Sequence, residues 1–345
     1  MAEFVPGLEL SRAFYVEVVA EILGGVPHAA ALLGRGSDVL GFDTPRSTDH
    51  GWGPRLQVFV AEDDVERVRR MVGDGLPGVF RGWPTRYGWD EFPVIHHVEV
   101  ATLHDWIVER IGFDPREGVT LLDWLSTPQQ ALLELTQGVV HRDERHELRH
   151  VREALGWYPN DVWLWLLACQ WRRLDQEEPF VGRTAEVGDD LGARILAARL
   201  ARDLVHACFL LERRYAPYSK WLGSAFRRLE SHPFVAPSLD AALMAEDHIR
   251  REDALVSAFQ AIASLHNAIA PTRPVDETIR FFHARPFRVL GSGRFVDACL
   301  ERVEDPLLRS LPLVGAVDQL MDSTDAVDEP GGYRGVRAAY AAWLG

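Results

Sequence analysis

The chain has 345 residues, 47% of them hydrophobic, with eleven tryptophans and a formal net charge of −14. That length allows two domains or one large one, and the apolar content supplies a sizeable core. The acidic balance excludes a sequence-independent grip on nucleic acid or on an anionic membrane, which both need a positive surface. Basic clusters such as "ERVRR" and "ERRY" still leave room for a local basic pocket.

The first residues, "MAEFVPGLELSRAFY", carry no basic leader and no long apolar run, which reads against a signal peptide. The longest apolar run, "VWLWLLAC", is too short to span a bilayer. A soluble, cytoplasmic protein is the expectation. Residues 8–24 place Leu10, Phe14, Val18 and Ile22 at helical spacing and stop at Gly24-Gly25. "HAAALLG" reads as a short buried strand that runs into a loop at Gly34. "RLQVFV" reads as a second strand, "EDDVERVRRMV" as an amphipathic helix, and "FPVIHHVEVAT" as a third strand with clean alternation. "LHDWIVERIG" is the next helix. From about residue 127 helical periodicity takes over, in "PQQALLELTQGVV", "HELRHVREALGW", "DVWLWLLACQWRRL", "DLGARILAARLARDLVHACFLLERRY" and "EDALVSAFQAIASLHNAIA". "HRDERHELRH" reads as a solvated helix face. The fold class is therefore α+β: a mixed sheet with helices over residues 1–125, then a large helical domain over 126–345. Cys169, Cys208 and Cys299 lie far apart in apolar surroundings and read as buried small hydrophobes.

The stretch "GRGSDVLGFDTPRSTDHGWGPRLQVFV", residues 34–60, carries the chemistry. Gly34, Gly36, Ser37 and Gly41 make a turn directly after a strand. Glycine lets backbone N–H groups approach a phosphate, and a serine hydroxyl adds a donor. Asp49 follows about a dozen residues later, at the start of the next strand, and Asp38 and Asp43 read as turn residues. A Gly-Ser turn followed by an acid entering a strand resembles the outline of the nucleotidyltransferase superfamily, in which an acidic pair and a third carboxylate on a neighbouring strand hold Mg²⁺ for phosphoryl transfer.

The whole string resembles a bacterial nucleotidyltransferase-like family known mainly as a domain of unknown function, with aminoglycoside nucleotidyltransferases as more distant relatives by fold. The resemblance runs from about residue 30 to 328. It rests on "GSDVLGFDTPRSTDHGWGPR", "LGWYPNDVWLWLLACQWRRL", "RRYAPYSKWLGSAF" and "VGAVDQLMDSTD". It implies a small mixed sheet and a helical domain closing a cleft, with transfer of a nucleoside monophosphate from NTP to a hydroxyl or amine of a small molecule. It also implies Mg²⁺ held by Asp49 and by a later strand acid, for which Glu99 is the candidate, and phosphates cradled by Gly36 and Ser37. The family's second carboxylate position is Gly51 here. A site lacking that acid should hold Mg²⁺ weakly. A repurposed, metal-independent enzyme or a ligand-binding protein is the alternative.

Other residues fall in place around this outline. Lys220, the only lysine in the chain, sits in "YAPYSKW" and is suited to reach a phosphate as a point charge. Arg35, Arg46 and Arg55 flank the loop, where a guanidinium can clamp a phosphate or carboxylate. Arg183 precedes a helix signal and reads as a cleft residue. Tyr218 offers a stacking wall, with Tyr215 read more as packing. His50, beside Asp49, is an acid/base candidate. His96 and His97 face opposite ways along a strand, so they cannot share one ion. His97 shares a face with Glu99 and reads first as a hydrogen-bonded strand histidine. His266 reads as structural.

Overall fold

A computed structural model describes residues 3–90, 92–328 and 330–344. The contacts divide the chain into two compact units. One comprises Met1–Asp123 with Gln130–Gly156, the other Trp124–Gln129 with Trp157–Gly345. The architecture is α+β.

The first unit is built on a five-stranded mixed sheet. Its strands are β1 (Ala29–Leu32), β2 (Arg55–Phe59), β3 (Arg86–Tyr87), β4 (Ile95–Ala101) and β5 (Val139–Asp143). Their order is β3-β4-β2-β1-β5. β2 and β4 run parallel in the register Arg55↔His97, Gln57↔Glu99, while β1 is antiparallel to both its neighbours. Alternation gives the sheet two faces. Leu56, Val58, Val98 and Val100 point into a core with Leu10 and Phe14 of helix α1 (Gly7–Phe14) and with Val68 and Val72 of helix α2 (Val65–Gly75). Burying each such side chain contributes about 1.5–3 kcal/mol. The opposite face presents Arg55, Gln57, His97 and Glu99.

One expected boundary moves. The sequence reads as helical from residue 126, yet β5 pairs with β1 at the sheet edge, so the first unit reaches Gly156. The helix over Gln129–Thr136 stops at Gly138, where φ is +74°, and the β-branched Val139 and Val140 then extend. "HRDERHELRH" is thus split. His141, Arg142 and Asp143 belong to the strand, and only Glu147–Ala154 is helical. His141 accepts or donates a 3.0 Å hydrogen bond with the Ser11 hydroxyl and stacks on Tyr15.

The second unit is helical. Helices α3 (Asn160–Glu177), α4 (Phe180–Glu186), α5 (Asp190–Leu211), α6 (Ser219–Phe226), α7 (His232–Met244) and α8 (His248–Ile269) form most of it. α3 buries Trp163, Trp165, Trp171 and the leucines between them on nearly every face, which is why "VWLWLLAC" reads as apolar all round. Cys169, Cys208 and Cys299 are buried and unpaired. His266 is a core histidine, held by Trp171 Nε1 at 3.2 Å and by the Thr272 hydroxyl at 2.9 Å. Among the described residues no helix is long and apolar enough to cross a membrane.

Candidate functional site in the sheet-based unit

The Gly-Ser loop leaves the end of β1 and folds back on β2 through a buried ion pair. Arg55, the first residue of β2, donates from Nε to Asp38 Oδ2 at 2.9 Å and from Nη2 to Asp38 Oδ1 at 2.6 Å. The same Nη2 donates to the Arg35 carbonyl at 2.7 Å. Burial disfavours the Arg55 charge, but Asp38 outweighs it and the guanidinium is held more firmly protonated than usual. Gly36 sits in the crook of this pair with φ at +138°. A Cβ there would lie 2.2 Å from Asp38 Oδ1 and 2.3 Å from Arg55 Nη2, so the position requires glycine. Two readings change accordingly. Asp38 is a buried anchor, not a solvated turn residue. Arg55 shapes the loop and is not a spare phosphate clamp. Asp43 is likewise an anchor, accepting from the Gly7 amide at 2.7 Å and from Trp52 Nε1 at 3.0 Å.

Beside the loop, the polar face of β2 and β4 centres on Glu99. Its carboxylate accepts from Trp106 Nε1 at 2.9 Å and from Gln57 Nε2 at 3.4 Å, and Arg110 Nη2 lies 3.4 Å from both oxygens. Trp106 and Arg110 come from the helix Leu103–Ile111, which follows β4, and the Arg110 guanidinium rides 3.7 Å from the Trp106 ring centroid. Gln57 is oriented by the Leu33 amide, which donates to Oε1 at 2.8 Å and leaves the Gln57 amide group for Glu99. A carboxamide therefore stands opposite Glu99 in the parallel register. Sequence reasoning missed Gln57, Trp106 and Arg110. The alternation of "RLQVFV" held the signal for Gln57, because residues 55, 57 and 59 share a face. His97 donates from Nε2 to the Tyr87 carbonyl at 2.9 Å, and its ring packs 4.1 Å from the Tyr87 ring. Burial, with Arg55 nearby, keeps its pKa below the usual value despite that bond.

Asp49 is not on the strand. It ends a 3₁₀ helix, Pro45–Asp49, and β2 begins only at Arg55, after Trp52-Gly53-Pro54. Its exposed carboxylate bonds His50 Nδ1 at 2.7 Å, and His50 is equally exposed. Gly51 has φ at +63°, outside the extended region, so residues 49 and 51 do not share a strand face. Arg46, in the same 3₁₀ helix, is exposed and has no side-chain partner among the described residues. Ser37 is half-buried, and its carbonyl accepts from the Phe42 amide at 2.7 Å.

These side chains do not compose a Mg²⁺ centre as they stand. Glu99 is ringed by three donors, Asp49 holds His50, and Gln57 occupies the position facing Glu99. Among the described residues, the one group of three His, Cys, Asp or Glu side chains with mutually close donor atoms is elsewhere, at His104, Asp114 and Glu117. There Arg116 already takes both Asp114 oxygens.

The remaining candidates lie in the helical unit. Lys220 is the second residue of α6, exposed, with its ammonium 5.0 Å from the Trp221 ring centroid. Tyr218 precedes that helix and lines a small cavity. Tyr215 is buried against Trp157 and Tyr158 and is a packing residue. Arg183 is exposed on α4, its guanidinium 5.9 Å from the Phe180 ring.

No curated protein matches the sequence. A crystal structure of a nucleotidyltransferase-like protein from Exiguobacterium sibiricum 255-15 aligns with 76% of this chain and 77% of its own, at 14% identity and a TM-score of 0.34. Residues 124–222, which include α3 to α5 and the "RRYAPYSKWL" string, match the domain of unknown function DUF4037. Over that stretch the chain is similar to this domain of unknown function.

Proposed function

We propose that the protein binds a phosphorylated small molecule, most simply a nucleotide, at the Gly-Ser loop of its sheet-based unit, in a nucleotidyltransferase-like site rewired to depend little on metal. One observation carries this reading: Gln57, not an acid, faces Glu99, and Trp106 and Arg110 supply the donors that a cation would otherwise replace. Metal centres of this kind need clustered carboxylates, because Mg²⁺ takes its protein ligands mostly from them. In this reading Gly36 and Ser37 bring backbone and hydroxyl donors to a phosphate, and Arg46 and Arg35 add charge beside them. Glu99 stays a fixed acceptor for a substrate hydroxyl or amine.

The orthodox reading is nucleotidyl transfer from NTP to a small-molecule acceptor. It is favoured by the exposure of Asp49 and His50, which leaves one carboxylate open to solvent. The assay that separates the two is pyrophosphate release from each NTP, with and without Mg²⁺, over a panel of hydroxyl and amine acceptors. The rewired site predicts no Mg²⁺-dependent release above background. Release at ordinary enzyme rates would return Asp49 and Glu99 to the metal.

A further inference from the structure

α5 runs from Asp190 to Leu211, and Arg199, Arg202, His206 and Leu210 recur on it at spacings of three and four, along one face. With α3 residues and the segment around 318–322 they enclose a cavity of about 280 Å³ inside the helical unit. A neighbouring cavity of about 40 Å³ shares Arg202, His206 and Asp318 and extends it to Tyr218.

One wall is already satisfied. Arg173 donates to Asp203 at 3.1 Å and to the Gln319 carbonyl at 2.7 Å. Gln170 donates to the Asp203 carbonyl at 2.8 Å and accepts from Gln319 at 2.9 Å. This wall sets shape and has no donor to spare. The other wall is different. The His206 ring lines both cavities and makes no hydrogen bond among the described residues. Burial, reinforced by Arg202 and Arg173, holds it neutral, with its pKa down at about 3. The ring is half-buried, so a nitrogen is open to a ligand in the cavity. Arg202 pairs with Asp322 at 2.8 Å, but the Asp322 side chain is 80% exposed. Such an exposed pair contributes only about 0–1 kcal/mol and yields to a better-placed anion.

We propose that this cavity binds a small molecule through an anionic group, phosphate or carboxylate, which displaces Asp322 from Arg202 and accepts a hydrogen bond from the His206 ring. Arg199, one turn before Arg202, lies at the rim and is paired with Glu177 at 2.9 Å. The site lies wholly within the helical unit and does not depend on the nucleotide reading of the Gly-Ser loop.

The test is calorimetric titration of the full-length protein with inorganic phosphate, pyrophosphate and succinate, up to 10 mM each as a working limit on the order of weak anion sites. At least one probe binds the unaltered protein. His206→Gln and Arg202→Gln each weaken that binding about tenfold or more, with unchanged circular dichroism. Asp322→Asn, which removes the internal competitor, tightens it by up to about fivefold. The order of phosphate and succinate affinities assigns the anionic group. Two results overturn the proposal: no probe binds, or Asp322→Asn weakens binding as the other two variants do. The second would make residues 318–324 a structural strap alone.

Discussion

Replacing Arg55 by Met removes the guanidinium that holds the Gly-Ser loop. It leaves Asp38, whose side chain is 2% exposed, without a counter-charge. Stripping one member from a buried ion pair costs about 3–5 kcal/mol, because the remaining charge is desolvated and unpaired. The Arg35 carbonyl loses its donor as well. For a unit of roughly 150 residues, each kcal/mol corresponds to about 2–4 °C in Tm, so the expected fall is about 6–20 °C. Scanning calorimetry is the assay. A chain of two compact units need not unfold in one step, and the shift should fall on one transition while the other stays in place. The double variant Asp38→Asn with Arg55→Met removes the orphaned charge and should recover part of the loss. A single Arg55→Met variant melting within about 2 °C of the unaltered protein would refute the reasoning. So would a double variant less stable than the single one.

Gly36→Ala forces a Cβ into the Asp38–Arg55 pair at a φ of +138° and should destabilise the first unit by several kcal/mol, of the order of a severe core lesion, read as a Tm loss. Gly51→Asp has room, since a Cβ there meets only the Trp89 ring at 3.8 Å, and aspartate tolerates its φ of +63°. It should therefore fold, and calorimetry then shows whether a restored acid increases Mg²⁺-dependent NTP binding. Lys220→Ala should leave Tm within a few degrees, because the side chain is exposed and its ammonium only approaches the Trp221 ring. A larger fall in a thermal melt would show that Lys220 helps to hold the helical unit together. Burial alone would raise the pKa of Asp114, but the Arg116 side chain and amide and the His104 ring hold it at about 2, below its ordinary 3.8. Its folded value is depressed, so its contribution is present above about pH 4 and is lost as pH falls through 2. Arg116→Leu should move the acid-unfolding midpoint to higher pH, followed by circular dichroism; an unchanged midpoint would contradict this.

The sheet was legible where alternation is strict. "RLQVFV" and "FPVIHHVEVAT" became β2 and β4, and their polar and apolar faces follow from residue parity alone. β5 was not legible, because its two valines are followed by His141, Arg142 and Asp143, whose charges mimic a solvated helix. A strand at a sheet edge keeps only part of its surface buried and so loses the hydrophobic signature. Asp49 misled for a related reason. Its distance to the strand matched the pattern, but Gly53 and Pro54 lie between and delay the strand to Arg55. Asp38 looked like a turn former, and only its partner seventeen residues on makes it an anchor. His206 carries no motif at all, and its meaning comes from the helix face it shares with Arg199 and Arg202.

The most direct test of the nucleotide reading is isothermal calorimetry of the unaltered protein with ATP, GTP, CTP and UTP, each with and without Mg²⁺, repeated with Ser37→Ala. The rewired site predicts that at least one nucleotide binds, that Mg²⁺ changes its affinity by no more than a few-fold, and that Ser37→Ala weakens it about tenfold, the loss of roughly one hydrogen bond to a charged group. Binding that appears only with Mg²⁺, or that is indifferent to Ser37→Ala, would contradict the account.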